Sequence, residues 1–226
     1  MDKDMVKLVK EEIAILRGSN VEEKSIKTGD IRKISSKIFK SISDKNIKNV
    51  LDICESLLEE HNWELGVIAY DWANRVHKQY TKETYDVFYS WLKKYIRGWG
   101  DCDDFCTHAF GQLLLKYKEI FSYILEWTED EGFWVRRAAA VILIPAISKN
   151  DYNGIKPLEI ADKLLKDEHD LVRKGYGWML KILATVDEKT VVEYLEKNYK
   201  NMPRVAFRYA LEKVDVEKRK YLMSLK

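Results

Sequence analysis

Three prolines and ten glycines are spread over 226 residues, and this scarcity of backbone breakers limits the fold more than any other feature. A β-sandwich needs a turn signal about every 8–12 residues, and the chain does not hold enough of them. A doubly wound α/β fold needs runs of β-branched residues between its helices. Only Ala138–Ile147 resembles such a run, and it continues out of Trp134-Val135-Arg136-Arg137, whose spacing is helical. The chain therefore reads as all-α. That run is also the longest uninterrupted apolar stretch, 10 residues, half of a membrane span. With 46% apolar and 34% charged residues, the composition excludes a disordered or membrane-embedded chain.

Helical periodicity predicts helices over 3–17, 30–43, 46–60, 63–79, 83–97, 101–116, 118–128, 132–148, 156–166, 169–185, 188–200, 203–213 and 215–225. Asp30, Asp44, Thr81, Asp101 and Asp187 stand where N-caps are expected. Pro203 suits a first helical turn, and Pro145 should kink or end its helix. Trp63, Trp99, Trp134 and Trp178 recur at intervals of 36, 35 and 44. HEAT and armadillo repeats have periods of about 40–47 residues. The expected architecture is a right-handed α-solenoid of about six HEAT-like helical pairs, with one helix of each pair on a concave face. No linker or low-complexity segment interrupts it, so residues 1–226 are read as a single HEAT-like repeat domain.

Charge is unevenly placed. Residues 131–226 hold 19 Lys/Arg and 14 Asp/Glu, a net of +5; residues 1–130 hold 20 and 23, a net of −3. A basic half could face a polyanion, although on charge alone ordinary scatter accounts for it as well. Cys54, Cys102 and Cys106 make no disulfide framework, and Met1-Asp2-Lys3-Asp4 shows no apolar signal core. A reducing cytoplasm is the expected compartment.

Metal and nucleotide chemistry find little support. The four histidines, His61, His77, His108 and His169, are scattered. Cys102 and Cys106 lie four apart with His108 nearby, but a fourth ligand is missing; buried free thiols are the better reading. There is no Gly-rich phosphate loop and no Gly-x-Ser-x-Gly elbow.

Four stretches are more informative. In Trp99-Gly100-Asp101-Cys102-Asp103-Asp104, Asp101 can cap a helix and the following acids can complement its dipole. Trp99 and Asp103 are also one turn apart, so an indole and a carboxylate could line one cleft. In Phe133-Trp134-Val135-Arg136-Arg137, Arg137 lies near Trp134 on a helix face. In the segment 172–181, Tyr176, Met179, Leu180 and the later Leu183 form an apolar stripe. Trp178 lies off it, between Lys174 and Lys181 and close to Arg173. It either packs on a neighbouring hairpin under lysine stems or meets sugar and phosphate. Arg204 and Arg208, four apart near a helix start, form a phosphate clamp or salt bridges to an adjacent helix.

Together these stretches resemble the HEAT-like alkylpurine DNA glycosylases, the AlkD-type DNA alkylation repair family. The resemblance rests on Thr28-Gly29-Asp30-Ile31-Arg32, Trp99-x-x-x-Asp103, Trp134-Val-Arg-Arg137-Ala-Ala, Gly177-Trp178-Met-Leu and Met202-Pro-Arg-x-Ala-x-Arg-Tyr-Ala-x-Glu-Lys213, and so covers most of the chain. It implies a helical solenoid that holds duplex DNA and hydrolyses the N-glycosidic bond of N3- and N7-alkylated purines. It also implies that the damaged base need not be flipped into a pocket, as glycosylases usually require.

Carried over, the resemblance places the catalytic carboxylate at Asp103, with Asp101 or Asp104 as alternatives in register. It places aromatic walls at Trp99 and Trp178 and a DNA-contacting arginine at Arg137. Trp134, Arg136, Arg173, Lys174, Lys181, Arg204 and Arg208 are expected to bind DNA. The expected protein is a monomer acting on duplex DNA with alkylated purines, without a metal or organic cofactor and with no membrane partner. Two other readings stay open: a DNA-structure-binding member of the same fold that excises weakly, since fold does not fix activity, and a HEAT-type protein scaffold. The lysines flanking Trp178 argue against the scaffold.

Overall fold

The structure, a computed structural model, describes residues 2–19 and 26–225. Among these the regular elements are all helical. The chain folds into two compact units, one within residues 1–109 and one within 110–226.

The first unit holds α1 (Asp2–Ser19), α2 (Thr28–Phe39), α3 (Ile47–Leu58), α4 (Trp63–Arg75), α5 (Thr84–Tyr95) and α6 (Trp99–Thr107). α4 is its axis and packs against α1, α2, α3 and α6. It buries Leu65 to Tyr70 without a gap, then Trp72 and Ala73. A helix apolar on nearly every side belongs in the interior. Asn46 and Asn62 start α3 and α4, their side-chain oxygens accepting from the N–H groups of Asn49 and Leu65 at 2.9 and 3.1 Å.

Several expected caps fall elsewhere. Asp44 accepts from the Asn46 N–H at 2.9 Å and so braces the cap without being it. Asp30 lies inside the first turn of α2, where it pairs with Lys33. Thr81 precedes α5 and donates its N–H to Thr84 Oγ1 at 3.0 Å. Acids and hydroxyls compete for backbone groups over several positions near a helix start, so spacing alone misplaces them by a few residues.

The second unit holds α7 (Ala109–Lys116) from its second residue onward, α8 (Phe121–Glu126), α9 (Phe133–Val141), α10 (Ile144–Ser148), α11 (Pro157–Leu164), α12 (Asp170–Leu183), α13 (Glu188–Asn198), α14 (Arg204–Ala210) and α15 (Val216–Leu225). The single helix expected over 132–148 breaks after Val141, and Pro145 falls in the first turn of α10. There its missing N–H leaves no intrahelical bond unmade. Pro203 stands just before α14 with φ −55° and ψ 138°, outside the helix in which it was expected. Asp187 does cap α13, accepting from the Thr190 N–H at 3.1 Å.

α12 organises this unit, packing on α9, α10, α11 and α14. Two glycines permit the close approach. A Cβ on Gly177 would lie 2.8 Å from the Ala206 carbonyl oxygen and 2.9 Å from Tyr209 Cβ. A Cβ on Gly175 would lie 3.1 Å from Arg137 Cγ. One glycine therefore admits α14 and the other α9. Among the described residues, no helix is long and apolar enough to cross a membrane.

Candidate active site

α6 begins with Trp99 as its first residue, two positions earlier than the sequence suggests. Asp101 is consequently the third helical residue rather than the cap. Its carboxylate reaches back to the Arg97 N–H at 3.3 Å and also accepts from the Gly98 N–H, the acidic half of a capping box. Burial pushes the Asp101 carboxyl above the ordinary carboxylate range, against the pull of those N–H groups, and the neighbouring Asp104 charge adds to the rise.

The helix is anchored by Cys102, Phe105 and Cys106, all fully buried. Phe105 stacks on Tyr70 with ring centroids 4.7 Å apart and meets Phe88 edge-on at 5.2 Å. Burying one such ring contributes about 2 kcal/mol. The helix expected over 101–116 ends at Thr107. There Thr107 Oγ1 donates to the Asp103 carbonyl at 2.6 Å, and His108 Nδ1 lies 2.9 Å from the Asp104 carbonyl. These side chains satisfy carbonyls that the next helical turn would have used. Cys54, Cys102 and Cys106 are buried and form no disulfide among the described residues.

Trp99 and Asp103, one turn apart, both line a cavity of about 440 Å³, and Asp101 and Asp104 line it as well. Trp99 is 63% exposed, which suits a wall and not a core residue. In the sequence Trp63 stands out only as one of the recurring tryptophans. It stands at the first position of α4, is 41% exposed and borders the same cavity. Its indole Nε1 lies 3.7 Å from where a Gly100 Cβ would be. The signal that could have found it was its placing, since Trp63 and Trp99 each open a helix.

Asp104 has a different setting. It is bound by Arg32 from α2 and by His108 Nδ1 at 3.1 Å, while its Oδ2 is buried without a hydrogen-bond partner. Asp104 holds the His108 imidazole above its ordinary pKa through their hydrogen bond, with burial opposing. Asp101 is thus tied to backbone N–H groups and Asp104 to the side chains of Arg32 and His108.

The basic residues named from the sequence lie in the second unit, on α9, α12 and α14. At about 100° per residue, Trp178 sits about 60° from Gly175 and about 100° from Gly177 around α12. It therefore occupies the arc between the flanks that meet α9 and α14, and it is half-buried. Lys174 and Lys181 share that arc. Lys174 pairs with Asp170 at 2.6 Å, and Lys181 pairs with Glu212. Tyr176, Met179, Leu180 and Leu183 are buried on the opposite side.

The arginines divide. Arg204 and Arg208 are exposed, and neither forms an ion pair among the described residues. Arg136 binds the Asp167 carboxylate at 2.6 Å and the Asp130 and Glu131 carbonyls at 2.8 and 2.9 Å. Arg173 Nε donates to the Asp167 carbonyl. Arg137 departs from its expected exposure: it is only 5% exposed, and Nη1 donates to the Leu171 carbonyl. Its guanidinium braces the start of α12 because Gly175 leaves room for its stem. Trp134 is half-buried, with its ring tilted against Phe133 at 4.3 Å.

The sequence model of the DNA alkylation repair enzyme family matches residues 18–214. No curated protein matches the chain. The solved structure of a predicted DNA alkylation repair enzyme from Enterococcus faecalis is similar, with a TM-score of 0.71 and 16% identity over 83% of this chain and 85% of that one. At that identity the likeness speaks for a shared fold. The family match adds the sequence itself, over nearly all the segments described above: the chain belongs to the DNA alkylation repair enzyme family, and its role is in the repair of alkylated DNA.

Proposed function

We propose that this chain is a DNA glycosylase that hydrolyses the N-glycosidic bond of N3- and N7-alkylated purines in duplex DNA. The observation that carries the reading is the pairing of Trp99 and Asp103, one turn apart on α6, on the wall of one cavity of about 440 Å³. Asp103 is assigned the catalytic role because it lies one turn of α6 from Trp99 on the wall of the same cavity.

Alkylation at N3 or N7 makes the purine cationic and a good leaving group. When the bond from C1′ to the base nitrogen breaks, its electron pair passes to the purine and cancels that charge. The sugar becomes oxocarbenium-like. Asp103 stabilises the developing positive charge and orients a water, whose oxygen bonds to C1′ while its proton passes to the carboxylate or to solvent. The Trp99 indole adds cation–π attraction, about 0.5–2 kcal/mol. On the second unit, Trp178 and the exposed Arg204 and Arg208 are assigned to DNA contact, where phosphate pairing supplies affinity without reading sequence.

The test is release of 7-methylguanine from methylated duplex DNA by the purified protein. Asp103→Asn should lower the rate by about 10²-fold or more with DNA affinity retained or improved. An unchanged rate in that variant, or none in the parent, would refute the reading.

A further inference from the structure

A groove of about 340 Å³ runs between the last two helices of the second unit. Arg208 of α14, with Leu211 and Glu212 just after it, lines one side, and Arg219, Lys220 and Met223 of α15 line the other. Leu211 is buried and Met223 half-buried, so the floor is apolar and the charges stand at the rim. α15 buries only Leu222 fully among its described residues, and a helix with so narrow an apolar face draws little from the core. It carries instead three consecutive cations, Lys218, Arg219 and Lys220. Lys218 pairs with Glu188 of α13, and Lys220 pairs with Glu217 at 2.8 Å. Arg219 forms no ion pair among the described residues, and neither does Arg208 on the facing side. Glu212, the acid among the lining residues, is held by Lys181. Two unpaired guanidiniums therefore set the sign of the groove. The Lys181–Glu212 pair also fixes its place, because Lys181 shares the arc of α12 with Trp178. The groove continues the face assigned to DNA.

We infer that this groove seats the sugar-phosphate backbone of duplex DNA, with Arg208 and Arg219 clamping a phosphate from two helices. The inference rests on the DNA-binding part of the reading above and not on excision. It makes Arg219 a DNA contact on a helix that follows residues 18–214, the segment matched by the family model. A DNA strand alternates anionic phosphates with the apolar edges of its sugars, and the groove sets a cationic rim over an apolar floor. Each guanidinium can meet phosphate oxygens in a bidentate fork, while a deoxyribose edge passes over Met223 and the arginine stems. An acidic peptide would match the charge as well, but the continuity with the Trp178 arc favours DNA. A contact of this kind reads no base. It therefore strengthens binding to damaged and undamaged duplex alike, and holds the duplex while a lesion is sought.

The experiment measures binding of an undamaged duplex to the full chain between about 50 and 200 mM salt. Arg219→Ala should flatten the slope of log K against log salt by about 0.9, the share of one phosphate contact. It should weaken binding about tenfold at the low-salt end, as loss of a charge-assisted hydrogen bond does. Arg219→Lys keeps the charge and should keep the slope, but loses part of the affinity because an ammonium makes no fork; it decides the matter if the alanine variant does not fold. Lys197→Ala removes an exposed cation of α13 that does not line the groove, and should bind with the parental slope. A parental slope in Arg219→Ala, or an equal fall in Lys197→Ala, overturns the proposal. So does an Arg219→Ala protein that keeps the parental slope but no longer holds a Glu-rich peptide bound by the parent, which would give the groove to an acidic protein partner. A parent that binds no duplex removes the DNA reading, and the groove with it. A parent that binds duplex with the expected slopes but releases no 7-methylguanine refutes the glycosylase reading and supports the groove.

Discussion

Arg32 and Asp104, 72 residues apart in the chain, are joined by an ion pair that ties α2 to α6. His108 Nδ1 approaches the same oxygen, Asp104 Oδ1, at 3.1 Å. The pairing with Asp104 raises the His108 pKa above its ordinary 6.5. Its contribution to stability is therefore fully present below that unfolded value and is lost as pH rises through the folded one. Asp104→Asn should lower the melting temperature at every pH, because the Arg32 pair goes too, but more at pH 5.5 than at pH 8.5. Equal losses at the two pH values, measured by thermal unfolding, would remove His108 from the network.

The register of the acids can be separated by one substitution. Asp101 accepts from backbone N–H groups at the start of α6, and the amide oxygen of asparagine can accept the same bonds. Asp101→Asn should therefore fold normally and keep excision within about threefold of the parent, whereas Asp103→Asn should lose about 10²-fold. A reversed order in single-turnover assays would move the catalytic role to Asp101.

Much of this was legible in the sequence. Three prolines among 226 residues pointed to an all-helical chain, and the apolar spacing located most helices to within a few residues. Trp99 and Asp103 stood out because one turn of helix puts i and i+4 together. Three things were not legible. The Arg32–Asp104 pair joins distant segments, and no local spacing encodes it. The break at His108 comes from side chains that take over backbone carbonyls, a contest that propensity does not decide. Arg137 read as a surface cation, and only the missing side chain of Gly175, 38 positions on, explains why it is buried.

The two glycines of α12 should respond differently to a methyl group. Gly177→Ala would press on the Ala206 backbone at 2.8 Å, which cannot move without shifting α14. A cost of about 1–3 kcal/mol follows, exceeding the gain of about 1 kcal/mol from better helix propensity. Gly175→Ala meets the Arg137 side chain, 3.1 Å from Cγ and 3.4 Å from Nη1; a side chain yields a few tenths of an ångström more readily than backbone does, so the loss should be smaller than for Gly177→Ala. Gly29→Ala, with open space around it in α2, should stabilise by about 0.5 kcal/mol. Urea unfolding of the three variants gives the order directly.

Salt dependence separates DNA contacts from structural cations. Each phosphate contact contributes about −0.9 to the slope of log K against log salt. Arg204 and Arg208 are exposed, so their joint replacement by alanine should flatten the slope by about 2 and leave the melting temperature unchanged. Arg136→Ala should behave otherwise. It leaves the buried Asp167 carboxylate with only the His169 N–H, at 2.8 Å, and no cation, and should cost about 2–3 kcal/mol of stability. A slope unaltered by loss of both Arg204 and Arg208 would take α14 off the DNA surface.

Trp178 and Trp91 provide the last contrast. Trp91 is fully buried and packs against Phe88 and Phe105 at 5.4 and 6.1 Å. Cutting it to alanine should cost about 3–5 kcal/mol, the usual loss for a core aromatic. Trp178 is half-buried, on the arc of α12 that it shares with Lys174 and Lys181 and away from the buried stripe of Tyr176, Met179, Leu180 and Leu183. Its removal should cost about 1 kcal/mol, since only part of its area is withdrawn from water, and should still lower excision of 7-methylguanine. Thermal unfolding and single-turnover excision, run on the same two proteins, decide it. If Trp178→Ala unfolds as readily as Trp91→Ala, its indole serves packing between helices. If it is stable and excises at the parental rate, Trp178 has no part in the site, and the aromatic contribution rests on α6 and α4 alone.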